Sequence, residues 1–111
     1  MVKNVPLLLV IDDEKDILQE LKEALQDEEY NVETLSDGRR ALELIGELVP
    51  DLVLLDIFMP NVSGIDVLDD IKREYPRQKV MIISGFGSIS VAVDAIQKGA
   101  TITAVDNVEE A

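Results

Sequence analysis

Cysteine, histidine and tryptophan are all missing from the 111-residue chain. Without Cys there are no disulfides and no thiol chemistry, which fits a reducing compartment. Without His, imidazole catalysis is excluded and the commonest zinc ligand is gone. Two Phe and two Tyr are the whole aromatic complement, so aliphatic side chains must fill the core. Cations are scarce too: ten Lys and Arg stand against 23 Asp and Glu, a net charge of −13 that argues against a phosphate-neutralising nucleic-acid surface and favours cations and basic partners. No apolar run approaches the roughly 18 residues of a membrane helix. Residues 5–11 are too short and lack a cleavage-site pattern for a signal peptide, so a cytoplasmic protein touching neither membrane nor nucleic acid is expected.

What is present suits one compact domain over residues 1–111, with 47% hydrophobic residues to build its interior. Leu7–Ile11 is a continuous apolar run closed by Asp12 and Asp13 and reads as a buried strand. From Glu14 to Glu28 the apolar residues Ile17, Leu18, Leu21, Ala24 and Leu25 fall at helical spacing, with Asp13 placed to cap. Val32–Leu35 is a second strand, followed by a helix from about Asp37 to Leu48. After Pro50, Leu52–Leu55 is a third apolar run, closed by Asp56. A loop over Met59–Gly64 leads into a helix to Tyr75, Lys79–Ile83 is a fourth strand ending at Ser84, and a helix over Ile89–Lys98 precedes a fifth strand at Thr101–Val105. Strands alternating with helices imply right-handed crossovers and a parallel sheet covered on both faces, an α/β fold.

In such a sheet the carboxyl ends of the strands share one crevice, where ligands bind. Asp12, Asp13, Asp56 and Ser84 all fall there. Taken singly, Asp12 and Asp13 are also what a helix N-terminus attracts, and Asp56 and Ser84 are ordinary turn residues. Acids closing both the first and third strands point further, to carboxylates that repel one another unless a cation sits among them. Oxygen ligands without His or Cys favour a hard divalent ion, and Mg²⁺ over zinc.

These residues resemble the receiver domains of two-component response regulators over roughly residues 5–100. Val10-Ile11-Asp12-Asp13-Glu14 is similar to the family's first-strand acidic signature, and Leu54-Leu55-Asp56-Ile57 to its phosphoacceptor strand. Met59-Pro60-Asn61-Val62-Ser63-Gly64 resembles the Met-Pro-x-x-x-Gly loop, Ser84 sits where the family has its switch hydroxyl, and Lys98-Gly99-Ala100 matches the stretch before strand five. Ser84-Gly85-Phe86-Gly87 further resembles receivers attached to enhancer-binding transcriptional activators. The resemblance implies a flavodoxin-like, doubly wound, five-stranded sheet in the order 2-1-3-4-5. It also implies that Asp56 is the phosphoacceptor and that Asp13, Asp56 and the backbone carbonyl of Phe58 hold Mg²⁺. By the same resemblance, Asp12 acts through metal-bound water, Ser84 is the switch hydroxyl, and the donor is a sensor histidine kinase or a small phosphodonor. The module would be no enzyme beyond its own phosphorylation.

The sequence departs from that pattern over residues 101–111. Asp106-Asn107 stand where the family has a Lys, the aromatic switch residue of strand five is absent, and the final helix is missing or replaced. Lys79 and Lys98 are not well placed to substitute. The departures support an alternative, a pseudo-receiver or truncated receiver acting as an interaction module without productive phosphoryl transfer. They also predict a homodimer through the surface the last helix would cover. Phosphatases of the haloacid-dehalogenase type want a second Asp where Phe58 stands, and flavodoxin-like cofactor binding wants a Ser/Thr-rich loop where Asp12-Asp13-Glu14 stand.

Overall fold

The computed structural model describes residues 5–56, 59 and 62–83. Its elements run β1 (Leu7–Ile11), α1 (Lys15–Asp27), β2 (Asn31–Leu35), a 3₁₀ turn (Gly38–Arg40), α2 (Ala41–Leu48), β3 (Leu52–Leu55), α3 (Gly64–Glu74) and β4 (Val80–Ile82). The strands form one parallel sheet in the order β2-β1-β3-β4. The expected fifth strand and the helix over 89–98 lie outside the described residues, as does the surface proposed for dimerisation.

Strand alternation sorts the core into two layers. Leu8, Val10, Leu52, Leu54 and Met81 face α1, which buries Leu18, Leu21 and Leu25 against them. Leu9, Ile11, Val53, Leu55, Val80 and Ile82 face the other way, onto Ala41 and Ile45 of α2 and Val67, Leu68 and Ile71 of α3. Every residue of β3 is buried, which is why that strand reads as an unbroken apolar run. At the opposite end of the sheet from Asp56, Asp51 clasps the start of β1: its Oδ2 accepts from the Leu7 amide at 2.7 Å while its own amide donates to the Leu7 carbonyl at 2.8 Å.

Several local details differ from the sequence-based expectation. Glu14, not Asp13, is the N-cap of α1, and it caps without a side-chain bond. The helix expected from Asp37 opens as a 3₁₀ turn capped by Asp37 itself, whose Oδ1 accepts from the Arg39 amide at 3.0 Å. Ser63 caps α3 through Oγ, which accepts from the Asp66 amide at 3.4 Å. The fourth strand spans Val80–Ile82, one residue shorter at each end than its apolar pattern suggests.

Candidate functional site

The site follows from sheet register. Ile11 pairs with both Leu35 and Leu55 across the parallel ladders. One residue further, the Asp12 amide donates to the Leu35 carbonyl at 3.1 Å and the Asp56 amide to the Ile11 carbonyl at 3.0 Å, so the ladder continues just past the formal strand ends. Asp12 and Asp56 thus come abreast on neighbouring strands and, by alternation, share the α1 side of the sheet. Asp13 follows on the other side.

One carboxylate oxygen from each of Asp12, Asp13 and Asp56 lies within 4.8 Å of the others. Asp12 is the buried member, while Asp13 and Asp56 are partly open to solvent. Burial is the main reason the Asp12 carboxyl is pushed up from its ordinary value of 3.8 to about 6. A hydrogen bond from the Glu14 amide to Asp12 Oδ1, at 2.9 Å, opposes that, and the charges of Asp56 and Asp13 with a hydrogen bond to Asp56 add to it. The acid expected to serve the first helix from Asp13 is therefore Asp12, which satisfies the first exposed amide of α1 from inside the cluster.

A convergent set of carboxylate oxygens, free of nitrogen and sulfur donors, is a donor set for a hard divalent cation. Such an ion would offset the repulsion that now raises the Asp12 pKa. Phe58 and Ser84 lie outside the described residues. Lys79 precedes β4 and passes its carbonyl to the Val53 amide at 2.9 Å, at the far end of the sheet from the acids. Sequence inspection missed the neighbourhood of Gly38, where an added Cβ would stand 3.0 Å from Met59 Cε and 3.6 Å from Val62 Cγ1. The bare backbone there lets the β2–α2 loop settle onto Met59 beside the acids. The Asp37-Gly38 dipeptide was its available signal.

Comparison with known proteins agrees with this geometry. Residues 8–104 match the family described as the response regulator receiver domain. The nitrogen assimilation regulatory protein NtrX of Azorhizobium caulinodans is 42% identical over 95 residues, which are 84% of this chain and 21% of that protein. The chain thus spans about a fifth of the length of the curated relatives it matches. Response regulator TrrA of Thermotoga maritima, solved with Mg²⁺-BeF, is 38% identical with a TM-score of 0.67 over 70% of this chain and 68% of that one. TrrA in complex with the histidine kinase ThkA is similar at 36% identity and a TM-score of 0.69, covering 76% and 72%. With an aligned match across most of its length and acids that its own sheet register gathers at the strand ends, the chain belongs to the response regulator receiver domain family.

Proposed function

We propose that Asp56 accepts a phosphoryl group, from a phosphohistidine of a sensor histidine kinase or from a small phosphodonor. In this reading Asp13, Asp56 and the Phe58 carbonyl hold Mg²⁺, Asp12 contributes through water, and the Ser84 hydroxyl binds the transferred group. The observation that carries it is the convergence of the Asp12, Asp13 and Asp56 carboxylates at the end of the central strands. The solution of TrrA with Mg²⁺-BeF and with a histidine kinase supports the choice of cofactor and partner. No helix among the described residues is long and apolar enough to cross a membrane, in keeping with a cytoplasmic role.

Asp12 and Asp56 divide the work by environment. Asp12 is buried and bound to the Glu14 amide, so its carboxylate is already committed. Asp56 stands partly open at the end of a fully buried strand, which fixes its backbone while leaving the side chain within reach of a donor. An Asp56 oxygen attacks phosphorus in line with the departing group, and chemistry of this type depends on positioning and charge neutralisation more than on acid or base groups. Bound Mg²⁺ supplies positive charge against the phosphoryl oxygens. The absence of His is no obstacle, because the donor carries its own.

Incubation with acetyl phosphate and Mg²⁺, followed by intact mass, tests the proposal. A phosphoryl adduct that requires the metal and disappears in Asp56→Asn is expected. No adduct, or one that survives Asp56→Asn, overturns it.

A further inference from the structure

Beside the carboxylates lies a cavity of about 150 Å³. Asp13 lines it from the acidic cluster, and Ser36 to Arg39 of the β2–α2 loop close it together with Met59 and Val62. Space of that order accepts a guest as large as benzene. Among the described residues its lining sets the carboxylates of Asp13 and Asp37 and the guanidinium of Arg39 beside apolar groups from Met59 and Val62.

That cation is paired with Asp37 at the surface. Asp37 Oδ1 accepts from the Arg39 amide at 3.0 Å and from Arg39 Nε at 2.9 Å, and Oδ2 accepts from Nη2 at 3.1 Å. The carboxylate that caps the backbone turn therefore also grips the guanidinium in a fork, and the pairing holds Asp37 below the usual carboxylate range. A clamped arginine loses less freedom on meeting a ligand than a swinging one. The side chain remains 74% exposed, so a ligand can reach it.

Charge balance says what it would meet. Three carboxylates around one divalent ion still leave net negative charge, and an incoming phosphodonor brings more. The Asp37–Arg39 pair is neutral overall, so what it offers an anionic donor along its path is guanidinium N–H groups held in position. Resting on Asp56 as the phosphoacceptor, we infer that this cavity seats the acyl half of a small acyl phosphate and that Arg39 binds its acyl oxygens, with Asp37 as the residue that positions Arg39. In the transfer, an Asp56 oxygen forms the new bond to phosphorus and the bond from phosphorus to the acyl oxygen breaks. The carboxylate leaves with the bonding pair, and no proton or redox partner is required. A planar carboxylate is the product that a guanidinium matches best.

The rate of phosphorylation, measured by intact mass against acetyl phosphate concentration at saturating Mg²⁺, tests this. Arg39→Ala should raise the half-saturating concentration about five-fold, with Arg39→Lys recovering part of the loss. Asp37→Asn should also raise it while changing the limiting rate little. Arg40→Ala removes the same charge one residue on, from a side chain paired with Glu43, and should change nothing. Phosphoramidate has no acyl half, so its half-saturation should be indifferent to Arg39→Ala. Unchanged half-saturation in Arg39→Ala, an equal loss in Arg40→Ala, or an equal loss with phosphoramidate overturns the inference. Should the unaltered chain take no phosphoryl group at all, the function proposed above fails, and the cavity is judged by titration with acetylphosphonate. Amide shifts over residues 36–39 that vanish in Arg39→Ala uphold it, and their absence rejects it.

Discussion

Burial and two neighbouring carboxylates keep Asp12 protonated up to a pH of about 6, which couples the stability of the metal-free chain to acidity in one direction. The folded chain holds this proton more tightly than the unfolded chain. The associated stabilisation is therefore complete below about 3.8 and is lost as the pH rises through about 6. Asp12→Asn keeps an oxygen to accept from the Glu14 amide and removes the charge. Without Mg²⁺ it should be more stable than the unaltered chain at neutral pH, by on the order of 1–2 kcal/mol. The difference should close as the pH falls below the titration range, and thermal melts followed by circular dichroism would show it. Equal melting temperatures at neutral pH would mean that the Asp12 carboxylate is not strained by its surroundings. Composition announced an acidic protein; only the burial of Asp12 says which acid bears the cost.

Two helices end on residues that are not glycine where the backbone turns left-handed. Glu29, at φ 70°, closes α1: its amide donates to the Gln26 carbonyl and the Tyr30 amide to the Leu25 carbonyl, the paired bonds of a Schellman ending. Val49 closes α2 at φ 48° and ψ 60°, a conformation that crowds a β-branched side chain, and it is 75% exposed with little packing in return. Val49→Gly should raise stability by about 0.5–1 kcal/mol, read from denaturant midpoints at constant slope. A lower midpoint would show that the exposed side chain contributes more than its backbone costs. Within α2 the glycine is placed differently, for closeness. A Cβ at Gly46 would stand 2.7 Å from the Tyr75 hydroxyl, which donates to the Leu42 carbonyl at 3.4 Å. Gly46→Ala should thus forfeit most of its helix-propensity gain in the unaltered chain, yet stabilise by about 0.5–1 kcal/mol in the Tyr75→Phe background, where the clash is relieved. Identical effects in both backgrounds would remove the hydroxyl from the explanation. No local pattern exposed this, since glycine inside a helical stretch looks merely unfavourable until Tyr75, at the C-terminal end of α3, is known as its neighbour.

Across the whole molecule, the sheet is what gathers the separate acids into one cluster, so metal and fold should be linked if that cluster holds Mg²⁺ as proposed. A cation bound by the native arrangement alone stabilises by about 2.7 kcal/mol at a hundred times its dissociation constant. Mg²⁺ should therefore raise the melting temperature at neutral pH, and progressively less as protons compete for Asp12 below about 6. A melting temperature indifferent to Mg²⁺ at neutral pH would remove the metal from the mechanism. How far this was legible beforehand varies with the range of the forces involved. The bounds of β1 and β3 stand out in the sequence because both strands are buried on two faces and stop abruptly at an acid. The first turn after Asp37 and the cap of α1 did not, because competing local hydrogen bonds of similar strength were settled by what packs nearby. By itself the sequence determined the alternation of strands and helices, the acids at the strand ends and the exclusion of nitrogen and sulfur ligands, all consequences of residue type and short-range periodicity. Only the tertiary structure decided that Ile11 pairs with Leu55, which sets Asp12 beside Asp56, and that Gly38 rests on Met59, which leaves a cavity edged by Arg39. Those are contacts between residues distant along the chain, and their energies come from burial and register that no local stretch contains.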